Sequence, residues 1–268
     1  MRPLGLSDAL VLGVVEGLTE FLPISSTGHL ILAGRLLGQE GELATTFEIV
    51  IQLGAILAVV WLYRARLWAL ARGLDQPAPR QLVAKLFVAF LPAAFAGLLL
   101  HRPIELHLFD PAVVAWALVA GGLAILLIER RDHSQGVDAL EQVSLRQALT
   151  VGLAQTLALI PGVSRAGATI MGALLVGLRR TTATEFSFFL AIPTIGAATL
   201  FDLAKHHTLF AGHDAAALAL GLLTALITAV LVIRWLLSYV SRRDFSVFGY
   251  YRIALGALTL LYFKRGAR

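Results

Sequence analysis

Six stretches of this chain, residues 43–63, 82–100, 111–128, 183–203, 214–238 and 248–264, are long and apolar enough to cross a lipid bilayer. A helical span takes about 20 residues, with a range near 17 to 25, because the hydrocarbon layer is about 30 Å thick and a helix rises about 1.5 Å per residue. That pattern leaves few folds open. In hydrocarbon every backbone amide and carbonyl must be paired within the protein, so apolar runs of this length are helices. Composition agrees: 58% of the 268 residues are hydrophobic and 15% are charged, against about 25% charged in soluble domains, and the mean hydropathy is +0.80. The expected fold class is an all-α polytopic membrane protein.

Two further regions are apolar but broken: 6–37, interrupted at Pro23 to His29, and 145–178, interrupted at Pro161 to Gly167. Each half is too short to cross comfortably, and a re-entrant helical hairpin that enters and leaves on one side fits better. Non-helical backbone at such depth is tolerated only where protein or a water-filled cavity surrounds it. The two regions resemble each other. Ala9-Leu10 through Gly13 matches Ala148-Leu149 through Gly152 at an offset of 139, Glu16 falls on Gln155, and after a one-residue slip Pro23 and Ser26 fall on Pro161 and Ser164. A Thr-rich span containing a glutamate follows each, Thr45-Thr46-Phe47-Glu48 in one case and Thr181-Thr182-Ala183-Thr184-Glu185 in the other. Residues 1–268 therefore read as one integral membrane domain with an internal repeat, about 5–130 and about 143–265. Each repeat holds one re-entrant hairpin plus three transmembrane helices. Three is odd, so the second copy is inverted, and inverted repeats with paired interruptions place a site near the midplane where the interruptions meet.

Charge orients the chain. The connections 64–80, 129–147, 179–182 and 239–247 hold eleven arginines, against seven basic residues on the other side. An excess of Lys and Arg marks cytoplasmic loops, so the mouth of the first hairpin is expected to face the periplasm or cell exterior. The net charge of +5 is thus topological; no basic face interleaved with aromatics points to nucleic acid. The absence of cysteine excludes disulfides, thiolate metal sites and cysteine nucleophiles. No cleavable-signal pattern opens the chain, because Asp8, Glu16 and Glu20 interrupt any apolar core. Trp61, Trp68, Tyr239, Tyr250 and Tyr251 near span ends read as interfacial anchors. His101, His107, His206 and His207 read as solvated loop residues, Glu185 as a structurally paired carboxylate, and Glu48 and Gln52 as candidates to line the site.

The chemistry concentrates in the two interruptions. Glu16 and Glu20 are spaced to share a helix face just before Pro23 ends that helix. A carboxylate at membrane depth costs roughly 2.5 to 3.5 kcal/mol, so two of them imply use. Arg165 in the second interruption needs an anionic partner there, and its planar fork suits phosphate oxygens. Ser25, Ser26, Thr27 and Gly28 open one helix, and Ser164, with Gly167 and Thr169 beyond it, opens another. Helix starts present amides to anions. Together these describe a phosphate or pyrophosphate cradle. Glu16 and Glu20 would repel such an anion, and a divalent cation such as Mg²⁺ held by both removes the conflict. Phosphoryl transfer to water suits the set, with Ser26, His29 or a metal-bound water as the attacking group.

Glu-x-x-x-Glu followed by Pro-Ile-Ser-Ser-Thr-Gly-His, with a later Pro-Gly-x-Ser-Arg-x-Gly, resembles the undecaprenyl-pyrophosphate phosphatase family, also called the bacitracin-resistance protein family, over essentially the whole chain. The resemblance implies a multi-pass enzyme of the bacterial inner membrane that hydrolyses the C55 lipid pyrophosphate to the monophosphate. That reaction recycles the carrier for peptidoglycan and other envelope polymers and confers bacitracin resistance. It implies dependence on Mg²⁺ or Ca²⁺ and functional positions at Glu16, Glu20, Ser26, Thr27, His29 and Arg165. Ala166 departs from the family, whose members often have Ser after the Ser-Arg pair. The expected partner is a polyprenyl pyrophosphate lipid; a second copy of the chain, as a homodimer, stays open. The competing class is a polyprenyl-phosphate flippase or secondary transporter, which shares the inverted-repeat architecture. A soluble-type acid phosphatase is rejected, because no Lys-x6-Arg-Pro precedes Ser26 and Ser164-Arg165 lacks a following His and Asp.

Overall fold

The structure, a computed structural model, describes residues 4–39, 41–108, 110–206 and 215–266; these form eleven α-helices and no strand. Five helices contain spans long and apolar enough to cross a membrane: α3 (Glu42–Leu62), α5 (Pro77–Leu108), α6 (Pro111–Ile128), α9 (Arg180–His206) and α10 (Ala215–Val240). They coincide with five of the six stretches read from hydropathy. The sixth forms α11 (Ser246–Gly266), 21 residues long, which carries a buried arginine and is not among the five. The chain is thus a multi-pass, all-helical membrane protein.

The broken regions form pairs of short helices. These are α1 (Leu6–Thr19) with α2 (Ser26–Leu37), and α7 (Leu145–Gln155) with α8 (Arg165–Leu175). They have 14, 12, 11 and 11 residues. At about 1.5 Å per residue none reaches the roughly 30 Å of the hydrocarbon layer. The connection at 64–80 holds a further helix, α4 (Arg64–Arg72). His101 and His107 lie on α5 and His206 on α9, not in loops, because those helices run past the apolar stretches that predict them. The side chains of these three histidines, and all of His207, lie outside the described residues.

Local signals set the boundaries. Asp110 accepts from the Ala112 amide at the start of α6, beside Pro111, and Ser144 forms a reciprocal capping box with Gln147 at the start of α7. Such caps satisfy amides that a first turn cannot bond internally. Small residues then bring helices close. A methyl at Gly13 of α1 would run into Thr224 and the Gly221 carbonyl of α10, and one at Gly152 of α7 into the backbone of Ala89 on α5. The dominant pairings are α1 with α10, α3 with α10 and α9, α5 with α7, and α6 with α11. Phe186, Phe188 and Phe189 centre the larger apolar core, while Leu12, Leu30, Phe47 and Ile51 form a smaller one beneath α1. Phe87, Phe95, Leu98, Trp116 and Leu231 point outward, as a lipid-facing surface requires.

The arginine-rich connections meet at one end. Arg66 of α4 pairs with Glu141 at 2.6 Å. Arg180 pairs with Glu129 at 2.5 Å, and Glu129 also accepts the Phe245 amide. Glu185 accepts from the Tyr63 hydroxyl at 3.1 Å and lies 3.6 Å from Arg66, so it is a structurally paired carboxylate.

Candidate active site

Two irregular turns decide the geometry. In the first, α1 stops at Thr19 and does not run on to Pro23. Glu20 nevertheless keeps helical angles and donates its amide to the Glu16 carbonyl, so the two carboxylates stay one turn apart. Ser25 then adopts φ = 73°, the one non-glycine positive φ among the described residues, a strain of about 1–3 kcal/mol that clusters at functional sites. That turn lets Ser25 Oγ accept from the Gly28 amide and cap α2. In the second, Gly162 takes φ = 91° and Ser164 Oγ accepts from the Gly167 amide, capping α8. The Ser164 hydroxyl also donates to the Leu22 carbonyl at 3.4 Å, joining the two turns.

Side chains from both turns converge on Glu20. The Ser26 hydroxyl donates to Glu20 Oε2 at 2.5 Å. Arg165, 145 positions away, donates from Nη2 to Glu20 Oε1 at 2.8 Å. Both oxygens of Glu20 are therefore engaged, one by the candidate nucleophile and one by the guanidinium. Arg165 is held in turn by α9: its Nη1 donates to the carbonyl and the hydroxyl of Ser187, each at 3.2 Å. Its guanidinium also lies 5.7 Å from the Phe21 ring centre. Side-chain exposure is 11% for Arg165 and 6% for Glu20, and a pair so deep is tolerated only when each ion is bonded.

Glu16 is different. It is fully buried, and neither carboxylate oxygen has a hydrogen-bond partner. The charges facing it are Glu20, Glu48 and Arg165. A buried carboxylate without a donor is expensive, and a divalent cation answers that need. Among the described residues no three His, Asp or Glu side chains stand so as to hold a metal ion by themselves. The protein therefore offers only part of a coordination sphere, which fits Mg²⁺, commonly bound through one or two carboxylates plus phosphate oxygens and water. Gln52, one turn beyond Glu48 on α3, is half-buried and bonded to none of these groups.

His29 is bonded to neither Glu20 nor Ser26. Its Nδ1 lies 2.7 Å from the Ser25 carbonyl and its Nε2 2.6 Å from the Tyr251 hydroxyl. A carbonyl only accepts, so Nδ1 carries the proton, and a neutral imidazole then accepts from Tyr251 through Nε2. The rings stack with centroids 5.6 Å apart and 3° between planes. Tyr251 is thus a partner of a site residue and not an ordinary interfacial anchor; a tyrosine near a span end carries no mark in the sequence to tell the two apart. Thr169 is committed elsewhere, its hydroxyl bonded to Ser187 Oγ at 2.6 Å and to the Arg165 carbonyl at 2.9 Å. Through these bonds it ties the first turn of α8 to Ser187 on α9. Thr27 is half-buried beside Ser26 on the first turn of α2. The amides of Ser26 and Thr27 on α2, and of Arg165 and Ala166 on α8, carry no hydrogen bond among the described residues. Each helix start thus leaves two amide donors unpaired. Sequence reasoning missed Ser187 and Tyr251 as partners of candidate site residues, because neither lies in a motif.

Comparison with known proteins identifies the family. The chain is 52% identical over 267 residues to an undecaprenyl-diphosphatase of Dechloromonas aromatica (strain RCB), covering 99% of this chain and 97% of that protein. It is 53% identical over 256 residues to one of Nitrosomonas europaea, covering 96% and 94%, and 49% identical over 254 residues to one of Ectopseudomonas mendocina, covering 94% and 92%. The profile of the bacitracin resistance protein BacA matches residues 9–258, and the chain belongs to that family.

Proposed function

We propose that the chain is a membrane phosphatase that hydrolyses undecaprenyl pyrophosphate to undecaprenyl phosphate and inorganic phosphate, as the names of its relatives describe. The observation that carries this reading is the chain of contacts Ser26–Glu20–Arg165, built across two turns remote in sequence. Ser26 Oγ is the attacking atom. Glu20 Oε2 accepts its proton as the bond to the terminal phosphorus forms, and the electron pair of the breaking bridge bond leaves with the prenyl monophosphate. Arg165 and the free amides of the two helix starts face the charge that develops on the terminal phosphoryl oxygens. Water then attacks the phosphoserine and its protons leave with the departing phosphate, while Glu20 returns its proton to the Ser26 oxygen as that oxygen's bond to phosphorus breaks. His29, with both ring nitrogens engaged, is a weaker candidate for the nucleophile.

Glu16, with Glu20 beside it, would hold a divalent cation, Mg²⁺ or Ca²⁺. Such an ion, when bound, neutralises the carboxylates against the pyrophosphate. The two-repeat architecture supports the same site. Under the 139-residue offset α1 corresponds to α7, α3 to α9 and α6 to α11. The pairing of α1 with α10 is then mirrored by α7 with α5, while α3–α9 and α6–α11 pair across the repeat. An inverted repeat of re-entrant hairpins in the inner membrane, its mouth toward the periplasm and its arginine-rich end in the cytoplasm, accounts for these pairings and for the short broken helices.

Purified protein in detergent should release phosphate from a polyprenyl pyrophosphate, and chelation should abolish release until Mg²⁺ or Ca²⁺ is restored. Ser26→Ala and Glu20→Gln should each lower kcat by at least about 100-fold, and label from the terminal phosphate should be trapped on Ser26. Binding of the pyrophosphate without any phosphate release would sink the enzyme reading in favour of transport. Label on His29 would overturn the nucleophile assignment.

A further inference from the structure

Arg252 belongs to neither interruption and carries no motif. It lies on α11, is 1% exposed, and is the largest fully buried side chain among the described residues. No carboxylate among those residues pairs with it. It donates instead to four backbone carbonyls: Nε to Leu118 at 3.3 Å, Nη2 to Ala117 and to Gly162 at 3.1 Å each, and Nη1 to Pro23 at 3.1 Å. Leu118 and Ala117 lie on α6. Pro23 and Gly162 belong to the two turns of the candidate site, and each stands three residues before the side chain that its turn delivers, Ser26 in one case and Arg165 in the other.

Space is reserved for this fork. A methyl at Gly121 would run into the guanidinium, and one at Gly167, on the first turn of α8, would sit 3.2 Å from Nη1. A buried guanidinium without a counter-ion is costly at membrane depth. An apolar side chain would serve better if α11 had only to pack on α6. What the arginine adds is a planar, pre-organised set of donors that reaches carbonyls on separate elements at once, which a lysine ammonium does not match.

We propose that Arg252 is a positioning residue for the reaction: it clamps the two turns to each other through the Pro23 and Gly162 carbonyls, so that Ser26 and Arg165 arrive at Glu20 in register. This rests on the phosphatase reading above for its catalytic consequence, though not for the clamp itself.

Three variants test it: Arg252→Lys, Arg252→Met, and Gly121→Ala, which keeps the arginine but displaces its guanidinium. Each should remain monodisperse in detergent. In hydrogen–deuterium exchange, peptides covering 20–28 and 160–168 should lose protection together, with α3 and α9 unchanged. The kcat for a polyprenyl pyrophosphate should fall about 100-fold, the scale of a 1 Å misplacement, while KM for the lipid stays within about threefold, since the clamp touches no substrate. Exchange that rises at one turn only, across the whole chain, or at neither turn overturns the clamp. Loosened turns with unchanged kcat, or KM rising in step with the loss of kcat, overturn its role in the reaction. A wild-type protein that releases no phosphate would refute the phosphatase reading, and the exchange result would then judge the clamp alone.

Discussion

Glu20 shows how a single carboxylate can be given two tasks by its neighbours. Oε1 is held by Arg165 and Oε2 by Ser26, so its orientation is fixed before substrate arrives and the hydroxyl proton has one destination. Arg165 depends in turn on Ser187, which offers it both a carbonyl and a hydroxyl. Ser187→Ala removes only the hydroxyl, and a neutral hydrogen bond contributes about 0.5–1.5 kcal/mol. The expected outcome is a roughly 3- to 10-fold fall in kcat with the fold intact, measured by phosphate release and thermal unfolding together. Tyr251→Phe should act on a similar scale, because it frees His29 Nε2 while the Ser25 carbonyl still holds Nδ1. A Tyr251→Phe variant as impaired as Ser26→Ala would show that His29 does more than support the turn. Glu16, Glu20, Ser26 and Arg165 were legible as candidate site residues because polar groups are conspicuous in apolar sequence. Tyr251 and Ser187 were not, because tyrosine at a span end and serine within a span are ordinary there.

At the scale of elements, short helices are placed by close contact. Gly13 lets α1 approach α10, where Thr224 and the Gly221 carbonyl occupy the space a side chain would need. Gly13→Ala should therefore destabilise the protein by about 1–3 kcal/mol, the usual cost of overpacking, seen as a lower Tm in detergent. A methyl at Gly196 on α9 would meet no atom within 4 Å. Gly196→Ala should be neutral or stabilising by up to about 1 kcal/mol, from helix propensity alone. Most spans were readable from hydropathy to within a few residues, as in α6, whose bounds match the expected 111–128, but α5 runs past the expected 82–100 at both ends. The end of α1 was not. Proline forbids a helix beyond it but does not require the helix to reach it, and the turn at Glu20 to Ser25 is shaped by the Ser25 cap and the contact of Ser164 with Leu22.

Across the whole molecule, ion pairs tie the arginine-rich connections to one another. The Glu129 side chain is 1% exposed and binds both Arg180 and the Phe245 amide. Removing one partner of a buried pair costs about 3–5 kcal/mol, so Glu129→Gln should lower Tm markedly. Because Glu129 and its partners share no bond with Ser26, Glu20 or Arg165, kcat at low temperature should change little. If Glu129→Gln lowers kcat as far as Tm, the two ends are coupled. Orientation can be read directly, since the chain has no cysteine. A single cysteine replacing the exposed Ser134 should react with a membrane-impermeant maleimide in inverted vesicles and stay unlabelled in intact cells stripped of their outer membrane. The reverse result would place the arginine-rich end outside.

The sequence by itself determined that this chain spans a membrane with helices, that two segments are broken, and that carboxylates, hydroxyls and an arginine gather at the breaks. Hydropathy and the expense of polar groups in lipid are local properties, and they are written residue by residue. Only the tertiary structure decided which polar groups meet. It put both Glu20 oxygens to use, left Glu16 without a donor, turned Thr169 toward Ser187, and brought Arg252 from the last helix to the carbonyls of both turns. Hydrogen bonds of this kind depend on ångström-scale distances between elements far apart in the chain, and those distances are set by helix packing, which no spacing within one segment encodes.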